Sequence, residues 1–148
     1  MAAMTGKCMC GAVTLTVIPA EQMIHACHCD WCRAWTGSAF MAVKAEDGDV
    51  SAEGPVKTLA SSPWAERSWC DACGSGLWYR VTAPGPYHGE YHVAAGLLPD
   101  TAGFTLGSEI YHDRKPEGWA YAGDAKKMTK AEIEAFFGMS GEAETGAE

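Results

Sequence analysis

The chain has 148 residues, a length that suits one domain with a buried core and is small enough to benefit from a metal staple. Its formal net charge is −8, with 19 Asp and Glu against 11 Lys and Arg, a balance that argues against nucleic acid as a partner. No run of 18 apolar residues occurs and Met1–Lys7 lacks the apolar core of a signal segment, so a soluble, cytoplasmic protein with no membrane partner is expected.

Taken in order, residues 5 to 18 place Val13, Leu15 and Val17 at period 2 with Thr14 and Thr16 between them, the pattern of a strand with one buried face. Just upstream, Cys8 and Cys10 lie between Gly6 and Gly11, and in extended backbone they point to the same side. The segment from Ala20 leads to Cys27, Cys29 and Cys32. Cys27 and Cys29 share a face if extended, and Cys29 and Cys32 are spaced as in a first helical turn. Asp30 suits a helix start and Thr36-Gly37-Ser38 a helix end.

Strands are expected at Ala39–Lys44, Val56–Leu59, Glu66–Trp69, Leu77–Val81, Tyr91–Ala95 and, more briefly, Glu109–His112. Between two of them Cys70-Asp71-Ala72-Cys73-Gly74 forms a knuckle in which Gly74 takes positive φ so that the chain curls around a metal. Thr129 and Glu132 form a capping box before a helix over Lys130–Phe137, ended by Gly138, with Ile133, Phe136 and Phe137 turned to the core. Residues 139–148 read as a disordered acidic tail, leaving a single domain over 1–138.

Seven cysteines in a reducing compartment indicate metal ligands rather than disulfides, and they divide as four plus three. The outer pairs Cys8/Cys10 and Cys70/Cys73 supply the four ligands of a closed structural site, although spacing alone does not prove which four. The triplet Cys27, Cys29 and Cys32 supplies three. Its fourth corner is open to two readings: a histidine, acid or water that completes a merely stabilising site, or a substrate. His28 points away from the ligating cysteines and is expected to bond backbone or solvent. His25, Asp30 and Asp71 remain candidate closers, and His88, His92 and His112 are read as strand residues. Arg33 offsets the thiolates or receives a substrate carboxylate. Trp31, Trp35, Phe40 and Trp119 are core residues or walls of a pocket.

Gly6-x-Cys8-x-Cys10-Gly11, Cys27-His28-Cys29-x-x-Cys32-Arg33 with Thr36-Gly37-Ser38-x-Phe40, and Cys70-x-x-Cys73-Gly74-Ser75 together resemble the signature of the glutathione-dependent formaldehyde-activating enzyme family, which includes centromere protein V. Gly96–Asp100 and Lys115-Pro116-x-x-Trp119 are similar to weaker family positions. The resemblance implies a mainly β fold, a zinc-stabilised β-tent of small antiparallel sheets with a short C-terminal helix. It implies two zinc ions per chain, one structural on Cys8, Cys10, Cys70 and Cys73 and one catalytic on Cys27, Cys29 and Cys32. The implied activity is that of a carbon–sulfur lyase resembling S-(hydroxymethyl)glutathione synthase, joining glutathione or a related thiol to formaldehyde or another small aldehyde. A non-catalytic, zinc-stabilised binding module of the same fold is the alternative. The chain departs from the family pattern at Glu109–His112 and, by one extra residue, at Pro116–Trp119.

Overall fold

The computed structural model describes residues 1–138; the tail expected over 139–148 lies outside the described residues. Strand β1 (Met4–Lys7) pairs antiparallel with β2 (Thr14–Val17), which pairs with β5 (Val50–Glu53) to make a three-stranded sheet. The remaining strands are β3 (Met23–Cys27), β4 (Phe40–Ala45), β6 (Val56–Ala60), β7 (Ala65–Cys70), β8 (Gly76–Val81), β9 (Tyr91–Ala94), β10 (Thr105–Ile110) and β11 (Lys126–Met128). They form one eight-stranded sheet in the order β11-β10-β3-β4-β9-β8-β7-β6. Helix α1 (Asp30–Thr36) follows β3, and α2 (Lys130–Phe137) follows β11.

The expectation of small antiparallel sheets is corrected here: one sheet has eight strands, and in it β10 runs parallel to both β3 and β11. The reason lies in the connection from β9. Residues 95–104 carry the chain back to the end from which β9 started, and a parallel entry requires such a crossover where a tight hairpin would give antiparallel pairing. A short 3₁₀ turn, Ala95–Leu97, opens that crossover and packs so closely on β1 that a Cβ at Gly6 would lie 2.3 Å from the Leu97 carbonyl oxygen.

Alternation along β4 divides the molecule into two faces. Met41, Val43 and Ala45 join Val13, Leu15, Val17, Leu77 and Val93 in the core beneath the small sheet, while Phe40, Ala42 and Lys44 face a cavity on the other side. The predicted strands in the middle of the chain are present within a residue or two. The expected strand over residues 5 to 18 is instead β1, a turn and β2, and β10 begins at Thr105, not Glu109. The capping box of α2 forms as read, with Gly138 left-handed behind it. Ile133 is buried, but Phe136 and Phe137 are 62% and 37% exposed, so the apolar stripe only partly meets the core.

Candidate active site

The four outer cysteines come together from two turns. Cys8 and Cys10 sit in a tight turn after β1, closed by the Gly11 amide donating to the Cys8 carbonyl at 3.1 Å, so a turn and not extended backbone directs both thiols to one point. Cys70 ends β7, and Cys73 lies in the knuckle before β8, where the Gly74 amide donates to the Cys70 carbonyl at 2.8 Å and Gly74 takes the expected positive φ of 80°. The Sγ atoms of Cys8 and Cys10 are 3.6 Å apart, and those of Cys10 and Cys70 3.9 Å. Four sulfurs at tetrahedral zinc distance are separated by ~3.8 Å, so this donor set fits the metal. Amides of Val13 and Ala12 point at the Cys8 and Cys10 sulfurs, and the hydroxyl and amide of Ser75 hold the Cys73 thiol down to about 5. Backbone and hydroxyl donors that lower thiol pKa values are the outer partners a tetrathiolate metal site uses.

The second cluster is built at the junction of β3 and α1. Cys27 is the last residue of β3; Cys29 is the N-cap of α1, its sulfur accepting from the Cys32 amide at 3.3 Å; Cys32 lies one helical turn on and is buried. Cysteine thus takes the cap role, with Asp30 as the first helical residue. All three sulfurs lie within 4.8 Å of one another. Hydrogen bonds from Cys27 and Cys32 hold the Cys29 thiol down to about 3 against burial, helped by the Cys32 amide and the charge of Arg67. Cys27 is pushed well above the ordinary thiol value, first by its hydrogen bonds to Cys29 and Cys32 and then by burial. Three thiols this close, one buried and two half-buried, raise the cost of ionising one another, a cost that a dication bound among them would relieve. The donor set therefore fits a divalent, thiophilic metal with three protein ligands.

None of the proposed closers joins this cluster. His25 is held by Ser108 Oγ and Glu21 Oε1, each at 2.7 Å, while Asp30 takes Arg33 and Arg114, and Asp71 lies near Lys57 on the surface. Among the described residues the only metal-competent groups of three or more are the outer four and this triplet. His28 is fully buried, and its Nε2 lies 2.9 Å from Glu109 Oε1, so its partner is a carboxylate instead of backbone or solvent. Burial lowers its pKa, opposed by the Glu109 carboxylate. The pair ties the segment between Cys27 and Cys29 to β10. Of the three histidines read as strand residues, His92 lies in β9, whereas His88 lies in a turn and His112 opens a short 3₁₀ helix.

Arg33 does not serve the thiolates. Its Nε donates to the His28 carbonyl at 3.0 Å and its guanidinium pairs with Asp30. The cation at the cluster is Arg67 of β7, only 6% exposed, which donates to Cys32 Sγ at 3.5 Å and to Ser61 Oγ at 2.9 Å. Three aromatic faces enclose its guanidinium, with Trp31, Trp35 and Tyr79 centroids 5.4, 5.3 and 5.1 Å away. The sequence reading had no access to this residue. The available signal was its place in β7, where alternation turns residue 67 to the cavity side, but the cysteine on its own strand, Cys70, belongs to the other cluster, and nothing local links Arg67 to Cys32.

The triplet lies in a cavity of about 470 Å³. Trp31, Phe40 and Tyr79 line it near the sulfurs, whereas Trp35 packs against Phe40 behind the wall and Trp119 is not among the lining residues. One wall is polar: Glu21, His25 and Ser108 stand beside Lys44, Glu90 and His92. Buried Glu90 accepts from His92 at 2.9 Å and pairs with Lys44 at 3.0 Å. Burial pushes the Glu90 pKa up, but His92 and Lys44 outweigh it and leave the carboxyl below its usual value of 4.5. A depressed carboxyl stabilises the fold above its unfolded pKa and loses that contribution as pH falls through the folded value. Urea unfolding of Glu90→Gln at about pH 6 and about pH 3.5 is therefore expected to show a smaller acid-induced loss of stability than the unsubstituted protein.

Comparison with known proteins agrees with this geometry. An uncharacterized lyase of Schizosaccharomyces pombe is 32% identical over 129 residues, covering 86% of this chain and 92% of that protein. A Rhodobacter sphaeroides protein of known crystal structure shares the fold, with a TM-score of 0.54 at 20% identity over 85% of this chain and 100% of the other. Residues 3–114 match the glutathione-dependent formaldehyde-activating enzyme family, a span that holds all seven cysteines and ends before Lys115–Trp119. The chain is a member of that family.

Proposed function

We propose that the protein is a zinc-dependent carbon–sulfur lyase that joins a thiol, glutathione or a related molecule, to formaldehyde or another aldehyde. One observation carries this reading: three cysteines converge inside a cavity with no fourth protein ligand among the described residues, while four others form a separate set of their own. A metal used only for folding needs its corners closed, and the outer set already meets that need. The cavity also favours an enzyme over a binding module, because a module has no use for a metal ligand set opening into a concave site of small-molecule size.

Zinc bound to the triplet would convert a substrate thiol to a thiolate at near-neutral pH. Cys27, Cys29 and Cys32 would hold three corners and leave the fourth facing the cavity. Arg67 would offset the excess negative charge of the sulfurs, keeping an incoming thiol from meeting an uncompensated anionic cluster. The cavity walls would hold sulfur and carbonyl carbon together and exclude bulk water. In the reaction a C–S bond forms, the carbonyl π pair moves to oxygen, and the thiol proton ends on that oxygen, giving a hemithioacetal.

Exchange spectroscopy of the glutathione–formaldehyde adduct tests this. The protein is expected to accelerate exchange over the spontaneous rate, and Cys29→Ser to remove the acceleration while the outer cluster keeps its zinc. No acceleration by the zinc-loaded protein would sink the proposal.

A further inference from the structure

His28 separates the first two sulfurs of the triplet, and both polar groups of its backbone are engaged. Its amide donates to the Ile110 carbonyl of β10 at 3.0 Å, and its carbonyl accepts from Arg33 Nε at 3.0 Å. Cys27, one residue earlier, is in register with Ile110 and ends β3. Beyond it the chain leaves the sheet and turns into α1, so the placing of Cys29 relative to Cys27 is decided at residue 28.

The side chain adds a third tie, Nε2 to Glu109 Oε1 at 2.9 Å. Neither His28 nor Glu109 lines the cavity, so the pair meets no substrate there. As packing it is a poor choice. Both side chains are buried, at 0% and 1% exposure, and among the described residues His28 Nδ1 and Glu109 Oε2 have no hydrogen-bond partner. Lys127 Nζ stands 3.7 Å from Oε2, too far for a hydrogen bond. Apolar side chains of similar volume would fill the same space with little loss of stability and often with a gain. What a hydrogen bond has and an apolar contact lacks is direction. It fixes the imidazole, flanked by the rings of His112 and Tyr121 at 5.9 Å, against a strand already set in the sheet.

We infer that Glu109 is a positioning residue for the metal: bound to His28, it sets how Cys27 and Cys29 present their sulfurs, and so how tightly the triplet holds zinc. The inference rests on the metal site proposed above and not on the aldehyde chemistry.

Zinc competition with a chromophoric chelator on the full chain reads the affinity of the triplet, with the outer site as internal reference, and urea unfolding reads stability. Glu109→Ala is expected to weaken zinc at the triplet ~10-fold, in the range seen for partners outside a metal's ligands, and to leave the outer site unchanged. Glu109→Gln keeps an oxygen that accepts from Nε2 and should hold zinc about as tightly as the unsubstituted protein. His28→Leu/Glu109→Leu separates positioning from packing: its urea midpoint is expected to be no lower than that of Glu109→Ala, while zinc at the triplet stays ~10-fold weaker. Affinity unchanged in Glu109→Ala, restored in the double substitution, or lost as fully in Glu109→Gln overturns the inference, as does equal weakening at both sites. Should Glu109→Ala not fold, the double substitution set against Glu109→Gln decides it. An unsubstituted protein with no zinc at the triplet overturns this inference and the thiol–aldehyde reading together, whereas a loaded triplet without acceleration of adduct exchange overturns only the latter.

Discussion

Cys70→Ser is expected to leave the chain largely unfolded at 25 °C. Cys70 ends β7, is fully buried in the main core, and brings its sulfur within 3.9 Å of Cys10, which lies 60 residues earlier in the chain. With zinc at the outer site, these contacts would join the turn after β1 to the β7–β8 knuckle and hence the small sheet to the large one. Binding of structural zinc contributes ~10 kcal/mol or more in small zinc peptides, whereas a domain's whole stability is ~5–15 kcal/mol. Loss of one of four ligands should therefore exceed what the core can offset. Circular dichroism during urea titration checks this, with Cys27→Ser as the comparison. The triplet lies on the cavity side of the large sheet and joins no separate sheets, so Cys27→Ser should unfold near the midpoint of the unsubstituted protein. Equal destabilisation by the two substitutions would mean that both clusters are structural.

Arg67→Met should weaken zinc at the triplet by ~10–100-fold, the usual effect of removing a partner just outside a metal's ligands, while the fold persists. Methionine fills much of the same space among Trp31, Trp35 and Tyr79 and interacts well with aromatic rings, so packing is largely retained. What disappears is the buried charge and the hydrogen bond to Cys32 Sγ. Three thiolates on a dication leave one excess negative charge, and Arg67 is the cation the structure places against it. Arg67→Lys keeps the charge but not the planar group that the three rings enclose, and an intermediate affinity is expected. Zinc competition with a chromophoric chelator measures the difference, the outer site serving as internal reference. An affinity unchanged in Arg67→Met would show that the guanidinium only supports packing.

The two cysteine clusters able to hold a metal were legible in the sequence because their signal is local. Cys-x-Cys, Cys-x-Cys-x-x-Cys and Cys-x-x-Cys each bring sulfurs together through a turn a few residues long, and the structure assembles all seven in two groups. The helix at Lys130–Phe137 was equally legible, since its cap and its stop both lie in the sequence beside it. Partnerships across sheets were not. Arg67 reaches Cys32 from 35 residues away, and Glu109 reaches His28 from 81, through register that no periodicity reports. Strands β3, β5 and β11 escaped notice for a related reason. Met23–Cys27, Val50–Glu53 and Lys126–Met128 lack clear alternation and become strands because neighbours already in place offer them hydrogen bonds. The parallel pairing of β10 follows from a crossover whose path the sequence does not encode locally.

The central claim is that Cys27, Cys29 and Cys32 hold a metal with one corner open to a thiol. X-ray absorption at the zinc edge, on protein of measured zinc content, tests it most directly. Two zinc ions per chain are predicted, with mean sulfur coordination rising from about 3.5 to about 4 per ion when glutathione is added. One zinc per chain, or two whose sulfur coordination does not respond to the thiol, would contradict the account.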